Sequence, residues 1–214
     1  MSAHYRLGMP VYLSDGFCIA CRQGNSDCYG NHAISCGSHG ERLARHNHLL
    51  DAIFATTACA HFAPTKEDRA LLPNSAGHPA DVMIGNFCRG LQAALDISVI
   101  NPLQAAMVHS AAVEPGYALR YRHKQKLSKY RDRCMAEGIQ FCPVICETTG
   151  SWHGQAEQTL RRIGQALTRA TGGDEKEVVS HMFGRLSVLL QRDNSMLLPN
   201  HVPTVTQPEV DRYL

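Results

Sequence analysis

The sequence predicts an α/β domain in which helices flank a mixed β-sheet, preceded by a small segment rich in cysteine and histidine. Short apolar runs with β-branched residues and flanking glycine, asparagine or proline recur in the middle of the chain and indicate strands. Segments with apolar residues at three- and four-residue steps lie on both sides of these runs and indicate amphipathic helices. With 214 residues, of which 44% are hydrophobic, the chain has the size of one domain with its own core.

The N-terminal segment carries a metal-binding pattern. Residues 1–16 show no clear period and are interpreted as a lead-in, whereas residues 17–45 contain the motif Cys-x2-Cys-x10-His-x3-Cys. The four residues of this motif are Cys18, Cys21, His32 and Cys36. Three thiolates and one imidazole suit tetrahedral Zn²⁺, and such a closed set of protein ligands is typical of structural zinc. Cys28 and His39 are alternative ligands, and chance clustering among 12 histidines and 9 cysteines is the competing interpretation.

A helix is predicted over residues 38–62, followed by a loop after Pro64. Apolar residues on this helix recur at three- and four-residue steps. His46 could contact a ligand or DNA, although packing against the cysteine-rich segment is the favoured interpretation. Glu67 lies 14 residues before Asp81 and is either a third carboxylate of a metal site or a solvated loop residue.

Two acidic residues are predicted on neighbouring strands at the centre of the chain. Residues 78–84 and 94–100 are apolar runs joined by a tight connection, with Asp81 at the start of the first and Asp96 inside the second. Two carboxylates on adjacent strands can converge on one hard divalent cation, such as Mg²⁺ or Mn²⁺. The competing interpretation is that each aspartate is an ordinary strand-end residue.

A basic helix is predicted over residues 118–137. The net charge of the chain is only +2, but residues 120–133 contain four arginines and three lysines against one aspartate. Such a face can bind phosphates, although a solvated helix face has the same composition. Lys126 and Lys129 share one side of the helix and can offset charge that develops on a phosphate. The residues predicted to contact DNA are Arg45, Arg120, Arg122, Lys124, Arg131 and Arg133.

The C-terminal third completes the predicted domain over residues 46–196. A strand is predicted over residues 141–149 and an amphipathic helix over residues 152–171. A last helix over residues 174–193 begins at Asp174, with a glutamate three residues later at capping-box spacing. Residues 197–214 are predicted to form an extended tail, because prolines recur in them.

The order of these motifs resembles the C-terminal endonuclease region of site-specific non-LTR retrotransposon proteins. The cysteine-rich motif is followed by Arg-His-Asn at 45–47, Pro-x-Asp at 79–81, Leu-Asp-x-x-Val at 95–99 and Lys-Leu-Ser-Lys-Tyr at 126–130. The resemblance covers about residues 17–150 and implies a zinc knuckle joined to a restriction-endonuclease-like, PD-(D/E)XK nuclease. The chain departs from the general pattern in the residue inserted before Asp81 and in Ser98, which stands where many such nucleases have lysine.

The resemblance implies a role for each candidate residue. Structural zinc would be bound by Cys18, Cys21, His32 and Cys36. Asp81 and Asp96 would hold catalytic Mg²⁺ or Mn²⁺, Lys126 would be the catalytic lysine, Lys129 a second lysine one turn on, and Glu67 an upstream acidic residue. The expected activity is hydrolysis of a phosphodiester bond that nicks target DNA, and the alternatives are a catalytically inactive zinc- and DNA-binding module and a structural protein derived from the nuclease fold.

Composition sets the expected partners and compartment. The chain has no run of 18 apolar residues and no signal-peptide pattern, so that no membrane partner and a nuclear or cytoplasmic location are expected. The resemblance implies DNA as the partner, with the RNA of the element as a further one. The resemblance also implies a reverse transcriptase domain. Since the sequence has no Tyr-x-Asp-Asp box, that domain is expected on a longer parent chain.

Overall fold

The computed structural model describes residues 2–22, 24–38, 40–66, 80–88 and 90–204. Its N-terminal part consists of short elements, which are α1 (Ser2–Arg6), β1 (Gly16–Cys18), β2 (Asn25–Ser26) and α2 (Asn31–Ser35). The central elements are α3 (Glu41–Cys59), β3 (Thr65–Lys66), β4 (Val82–Cys88), β5 (Leu91–Ile100), α4 (Val108–Val113), α5 (Tyr117–Ala136) and β6 (Ile139–Glu147). The C-terminal elements are α6 (Gly154–Thr171), α7 (Glu175–Leu197), a 3₁₀ helix (Leu198–His201) and β7 (Pro203–Thr204).

The central sheet is mixed, as predicted. Its strand order is β3-β4-β5-β6, in which β3, β4 and β5 are antiparallel neighbours and β5 and β6 are parallel. The predicted tight connection between β4 and β5 contains Gly90 with φ +84°, a left-handed conformation that glycine adopts without strain. Parallel pairing needs a crossover, which α4 and α5 supply between β5 and β6.

Helices cover both faces of this sheet. Residues at alternate positions of β5, such as Leu95 and Ile97, pack in the main hydrophobic core with α3, α6 and α7. Ala94, which points to the opposite face, packs with Tyr130 of α5 and Phe141 of β6. The alternation of side chains along a strand therefore creates two apolar layers, and helices flank the mixed sheet as the sequence predicts.

The two C-terminal helices follow their sequence signals closely. Helix α6 ends at Gly172, which has φ +71°, and the Asp174 side chain accepts a hydrogen bond from the Glu177 N–H at the start of α7. The helices approach each other at Gly164, where an added Cβ would lie 2.8 Å from Cγ2 of Val179. Helix α7 extends four residues beyond the predicted end at residue 193.

The chain ends differ from the predicted lead-in and extended tail. Tyr5 and Tyr12 of the lead-in are buried against Leu197, Leu198 and Ile34. The Tyr12 hydroxyl also donates a hydrogen bond to the Leu198 carbonyl at 2.6 Å, and this contact stabilises a 3₁₀ turn where an extended chain was expected. Strand β7 then pairs with β1. The described part of the tail therefore packs with the short elements α1, β1, β2 and α2, which together form the N-terminal module.

The predicted boundary between residues 45 and 46 falls inside helix α3, which runs through it without interruption. Leu49, Leu50 and Ile53 of this helix belong to the main core, whereas its first turn contacts the N-terminal module. None of the helices within the described ranges is both long and apolar enough to cross a bilayer.

Candidate functional site

The predicted zinc ligands come together at one point. The ligand atoms of Cys18, Cys21, His32 and Cys36 all lie within 4.8 Å of one another. Cys18 ends β1, Cys21 lies in the turn that follows, and His32 and Cys36 stand four residues apart at the two ends of α2. The cluster could therefore hold a zinc ion, as the motif predicts. Among the residues that the structure describes, this is the only group of three or more Cys, His, Asp or Glu with such spacing.

The surroundings of the cluster suit a cation. Burial raises the pKa of the Cys18 thiol to about 11, which disfavours the thiolate unless a positive charge lies beside it. Burial lowers the pKa of His32 and so favours the neutral imidazole that binds a metal. Asp27 accepts hydrogen bonds from the N–H groups of Asn31 and His32 at 3.1 and 2.8 Å and fixes the start of α2.

Of the two alternative ligands, Cys28 does not join this cluster. The N–H of Cys28 donates a hydrogen bond to Asp15 at 2.6 Å, and the residue packs partly buried against the cluster that contains Tyr12. The other alternative, His39, lies outside the described residues.

The predicted acidic pair lies on facing positions of the central sheet. Since Val82 of β4 pairs with Leu95 of β5, the next step in the register places Asp81 opposite Asp96. The Asp81 N–H donates a hydrogen bond to the Leu95 carbonyl at 2.8 Å, and Oδ2 of Asp81 accepts one from the Ile97 N–H at 2.6 Å. The strand backbone thus fixes both the position and the orientation of the first carboxylate.

Lys126 of α5 reaches the same place. Its Nζ donates a hydrogen bond to Oδ1 of Asp96 at 2.8 Å. Only 7% of the Asp96 side chain is exposed, and its Oδ2 has no hydrogen-bond partner among the described residues. On the other side of the pair, Nε2 of His46 lies 3.4 Å from Oδ1 of Asp81. The structure therefore brings together two carboxylates, one lysine and one histidine.

The electrostatics of this group are dominated by burial. The pKa of Asp96 is raised to about 6, mainly by burial; the charge and hydrogen bond of Lys126 act against this rise, and the charge of Asp81 adds to it. The hydrogen bond with Asp81 raises the pKa of His46, against the opposing effect of burial. At neutral pH Asp96 is ionised but close to its titration range, so that its charge depends on the cation beside it.

These side chains line a cleft of about 450 Å³ between α2, α3, β5 and α5. The cleft is mostly polar and carries more basic than acidic side chains. The basic ones are Arg42, Arg45 and His46 from α3 and Arg122 and Lys126 from α5. The Nε of Arg122 is buried and lacks a hydrogen-bond partner in the described part of the chain. Ser35 of the metal-binding segment forms part of one wall. A cleft with this lining can accept a phosphate beside the two carboxylates.

Other predicted residues lie outside the cleft. Nζ of Lys129 lies 4.7 Å from the ring centroid of Tyr130, on an exposed side of α5. Arg120 forms an ion pair with Glu114 and donates a hydrogen bond to the Pro115 carbonyl at 2.8 Å. Three further basic residues of α5, all exposed, are Lys124, Arg131 and Arg133. Glu67, the predicted upstream acidic residue, lies outside the described residues, so its position relative to the cleft stays a prediction.

Arg45 is placed inside the protein. Only 4% of the residue is exposed. Its Nη1 donates a hydrogen bond to Oδ1 of Asn194 at 2.8 Å, and its Nη2 donates one to the Ile34 carbonyl at 3.3 Å. The guanidinium therefore ties α3 to α7 and to α2 at the inner wall of the cleft, and its contact with DNA stays a prediction. The physical reason for its burial is that Arg45 shares a helix face with the buried Leu49, four residues on.

The sequence did not indicate that two further residues, His46 and Asn101, line the cleft. His46 was expected to pack against the cysteine-rich segment but faces Asp81. Asn101 follows β5, and its amide donates hydrogen bonds to the Asn31 carbonyl at 3.1 Å and to Oγ of Ser35 at 2.7 Å. This contact joins the metal-binding segment to the strand that carries Asp96, and only the tertiary structure reveals it.

Comparison with known proteins found no family model that matches the chain and no curated protein that matches it.

Proposed function

We propose that the chain is a metal-dependent DNA endonuclease domain, of the kind that follows the reverse transcriptase in site-specific non-LTR retrotransposon proteins. The observation that carries the proposal is the meeting of Asp81, Asp96 and Lys126 in one polar cleft. A mixed sheet flanked by helices, with a cysteine and histidine cluster before it, is compatible with a restriction-endonuclease-like core and a zinc knuckle.

The two carboxylates fit a hard divalent cation. Oδ2 of Asp96 is a buried oxygen without a hydrogen-bond partner among the described residues, and Oδ1 of Asp81 lies 3.4 Å from Nε2 of His46. Mg²⁺ and Mn²⁺ prefer such oxygens and retain bound waters. When bound, the cation supplies Lewis-acid polarisation of the phosphate and an activated water.

The remaining cleft residues bind and orient the phosphate. Within the described ranges the buried Nε–H of Arg122 has no hydrogen-bond partner, so it can donate to a phosphate oxygen. Lys126 keeps Asp96 ionised and places a positive charge beside the position where negative charge develops during hydrolysis. Lys124, Arg131 and Arg133 are exposed on α5, and they would contact the DNA backbone without reading its sequence. RNA of the element is a second partner with the same phosphate chemistry.

Nicking of supercoiled plasmid tests the proposal. The full chain, loaded with zinc, is incubated with and without Mg²⁺ or Mn²⁺, since a strong chelator would also remove zinc. We expect that Asp81→Asn and Asp96→Asn abolish metal-dependent nicking, and that Lys126→Met lowers the rate by about two orders of magnitude. Asp132→Asn removes the same charge from an exposed position of α5 and is the matched control. Undiminished nicking by Asp96→Asn would refute the assignment.

A catalytically inactive zinc- and DNA-binding module is the second candidate. The observation that favours it is the Lys126–Asp96 ion pair, which already neutralises one of the two carboxylates. In that case the wild-type chain binds plasmid and duplex DNA in a salt-dependent manner, but Mg²⁺ and Mn²⁺ produce no nicking.

A further inference from the structure

The chain segment after α7 returns to the metal cluster at the opposite end of the sequence. The 3₁₀ helix Leu198–His201 packs beside α2, and β7 pairs with β1 in a register that places Pro203 beside Cys18. Oγ of Ser26 donates a hydrogen bond to the His201 carbonyl at 3.2 Å. This bond fixes the turn that joins the 3₁₀ helix to β7. Residues 198–204 thus form one wall of the compartment that contains the cluster.

His201 is the residue of this segment that faces the cluster. It is fully buried, at 0% exposure, and its Nδ1 lies 3.4 Å from Sγ of Cys18. Its Nε2 lies 3.7 Å from Oε2 of Glu41, at the start of α3. The side chain of Asn200 donates a hydrogen bond to the other oxygen of Glu41 at 3.1 Å and so fixes that carboxylate. The imidazole is therefore held between a carboxylate and a sulfur atom.

We propose that His201 is a positioning residue of the metal centre, which donates its Nδ1–H to the metal-bound thiolate of Cys18. A metal-bound thiolate can only accept, so the ring nitrogen that faces it is the donor. Three thiolates around one divalent ion leave one net negative charge, and Cys18 and Cys36 are both buried. The hydrogen bond offsets this charge where water is excluded.

The position of His201 gives residues 198–204 a function that local sequence does not reveal. By holding the Cys18 thiolate in place and withdrawing charge from its sulfur, the segment slows loss of the metal and reaction of the thiolate with oxidants. The four ligands lie within 19 positions of one another, whereas His201 is 183 positions from Cys18. Retention of the metal is therefore coupled to the packing of residues 198–204 against the cluster.

Cobalt substitution and metal competition test this role without any DNA, so the outcome is independent of the proposed nuclease activity. The full chain is loaded with Co²⁺, and its sulfur-to-metal charge-transfer band is compared among His201→Phe, His201→Gln and Leu198→Ala. His201→Phe removes the donor, His201→Gln retains an N–H donor, and Leu198→Ala weakens packing of the same buried segment without touching the sulfur.

We expect His201→Phe to shift the charge-transfer band to lower energy and to weaken zinc binding about 10- to 100-fold, the usual effect of losing such a partner. His201→Gln should lie between this variant and wild type, and Leu198→Ala should leave the band unchanged. A wild-type band and wild-type zinc affinity in His201→Phe would overturn the proposal. So would an equal shift in Leu198→Ala, because a structural role alone would then explain both.

A measurement on the wild-type chain decides the matter if His201→Phe fails to fold. With ¹¹³Cd in the cluster, scalar coupling between the metal and the Hδ1 proton of His201 is expected through the N–H···S hydrogen bond. A coupling to a ring nitrogen instead would make His201 a ligand and overturn the positioning role. Absence of any coupling, or failure of the cluster to bind Zn²⁺, Co²⁺ and Cd²⁺, would overturn it as well.

Discussion

Replacing Asp96 with asparagine should remove a pH-dependent loss of stability from the fold. Burial raises the pKa of Asp96 from 3.8 to about 6. Below pH 3.8 the carboxyl is neutral in both the folded and the unfolded chain and costs nothing. As the pH rises through this range, the unfolded chain ionises first, so stability falls until the folded carboxyl ionises as well. At about 1.4 kcal/mol for each pH unit, the total loss is about 3 kcal/mol, and about half of it occurs between pH 5 and 7.5.

Urea unfolding of both proteins at a series of pH values measures this loss. Trp152, the single tryptophan, packs edge-on against Phe183 and reports unfolding by its fluorescence. Saturating zinc is kept in every sample and Mg²⁺ is omitted, so that effects of pH on the zinc cluster are common to both proteins and cancel in the difference. We expect the wild-type chain to lose about 1–2 kcal/mol relative to Asp96→Asn from pH 5 to 7.5. A difference that does not change with pH would refute the reasoning.

Three further substitutions test the packing, the basic helix and the link between the two modules. Gly164→Ala should cost about 1–3 kcal/mol of unfolding free energy, because its Cβ would lie 2.8 Å from Val179; wild-type stability would contradict the close helix approach. Lys124→Ala should lower the slope of log binding constant against log salt concentration by about one unit, and an unchanged slope would remove it from the DNA surface. Asn101→Ala should cost about 1–3 kcal/mol, because it leaves Oγ of Ser35 without its buried donor; an unchanged urea midpoint would show that this contact adds nothing.

The central strands could be predicted because their signal is local. Apolar runs indicate that both strands exist, and the alternation of side chains determines which residues share a face. The bounds differ from the prediction, because β4 continues through Gly85 to Cys88 and β5 already begins at Leu91. Asp81 precedes Val82 and Asp96 follows Leu95, and these two core residues pair across the hairpin. The approach of the two aspartates therefore follows from the hairpin itself. The link to Lys126 needs the crossover helix to lie on the same face, and Ala94 and Tyr130 secure this by packing together.

The basic helix shows where the sequence was less informative. Composition alone made Lys126 and Lys129 near-equivalent, yet Lys126 lies four residues before the buried Tyr130 and Lys129 does not. A helix face is set by its buried residues, so Tyr130 and Cys134 decide which lysine turns towards the sheet. Arg45 follows the same principle, because its spacing from Leu49 places a basic residue on the inner face of α3.

The tail could not be predicted, because its contacts are entirely long-range. Prolines at 199 and 203 favour an irregular or extended chain, and nothing near them in sequence indicates a partner. The partners are Tyr12, Ser26 and Cys18, at the other end of the chain. Local sequence patterns do not indicate contacts between residues this far apart in the chain. For this reason His201 was not among the predicted metal-site residues.

The metal-binding segment and the cleft act as one structure rather than as a small domain joined to a large one. Division at residues 45 and 46 would cut α3 between Arg45, which holds α2 and α7, and His46, which faces Asp81. Ser35 lies one residue before Cys36, a member of the cluster that could hold zinc, and also forms part of the cleft wall. Because metal binding to such a cluster is coupled to folding of the segment that bears it, loss of zinc should loosen this wall and the Asn101 contact with it. A chain cut at residue 46 would therefore lack both the metal centre and one side of the cleft.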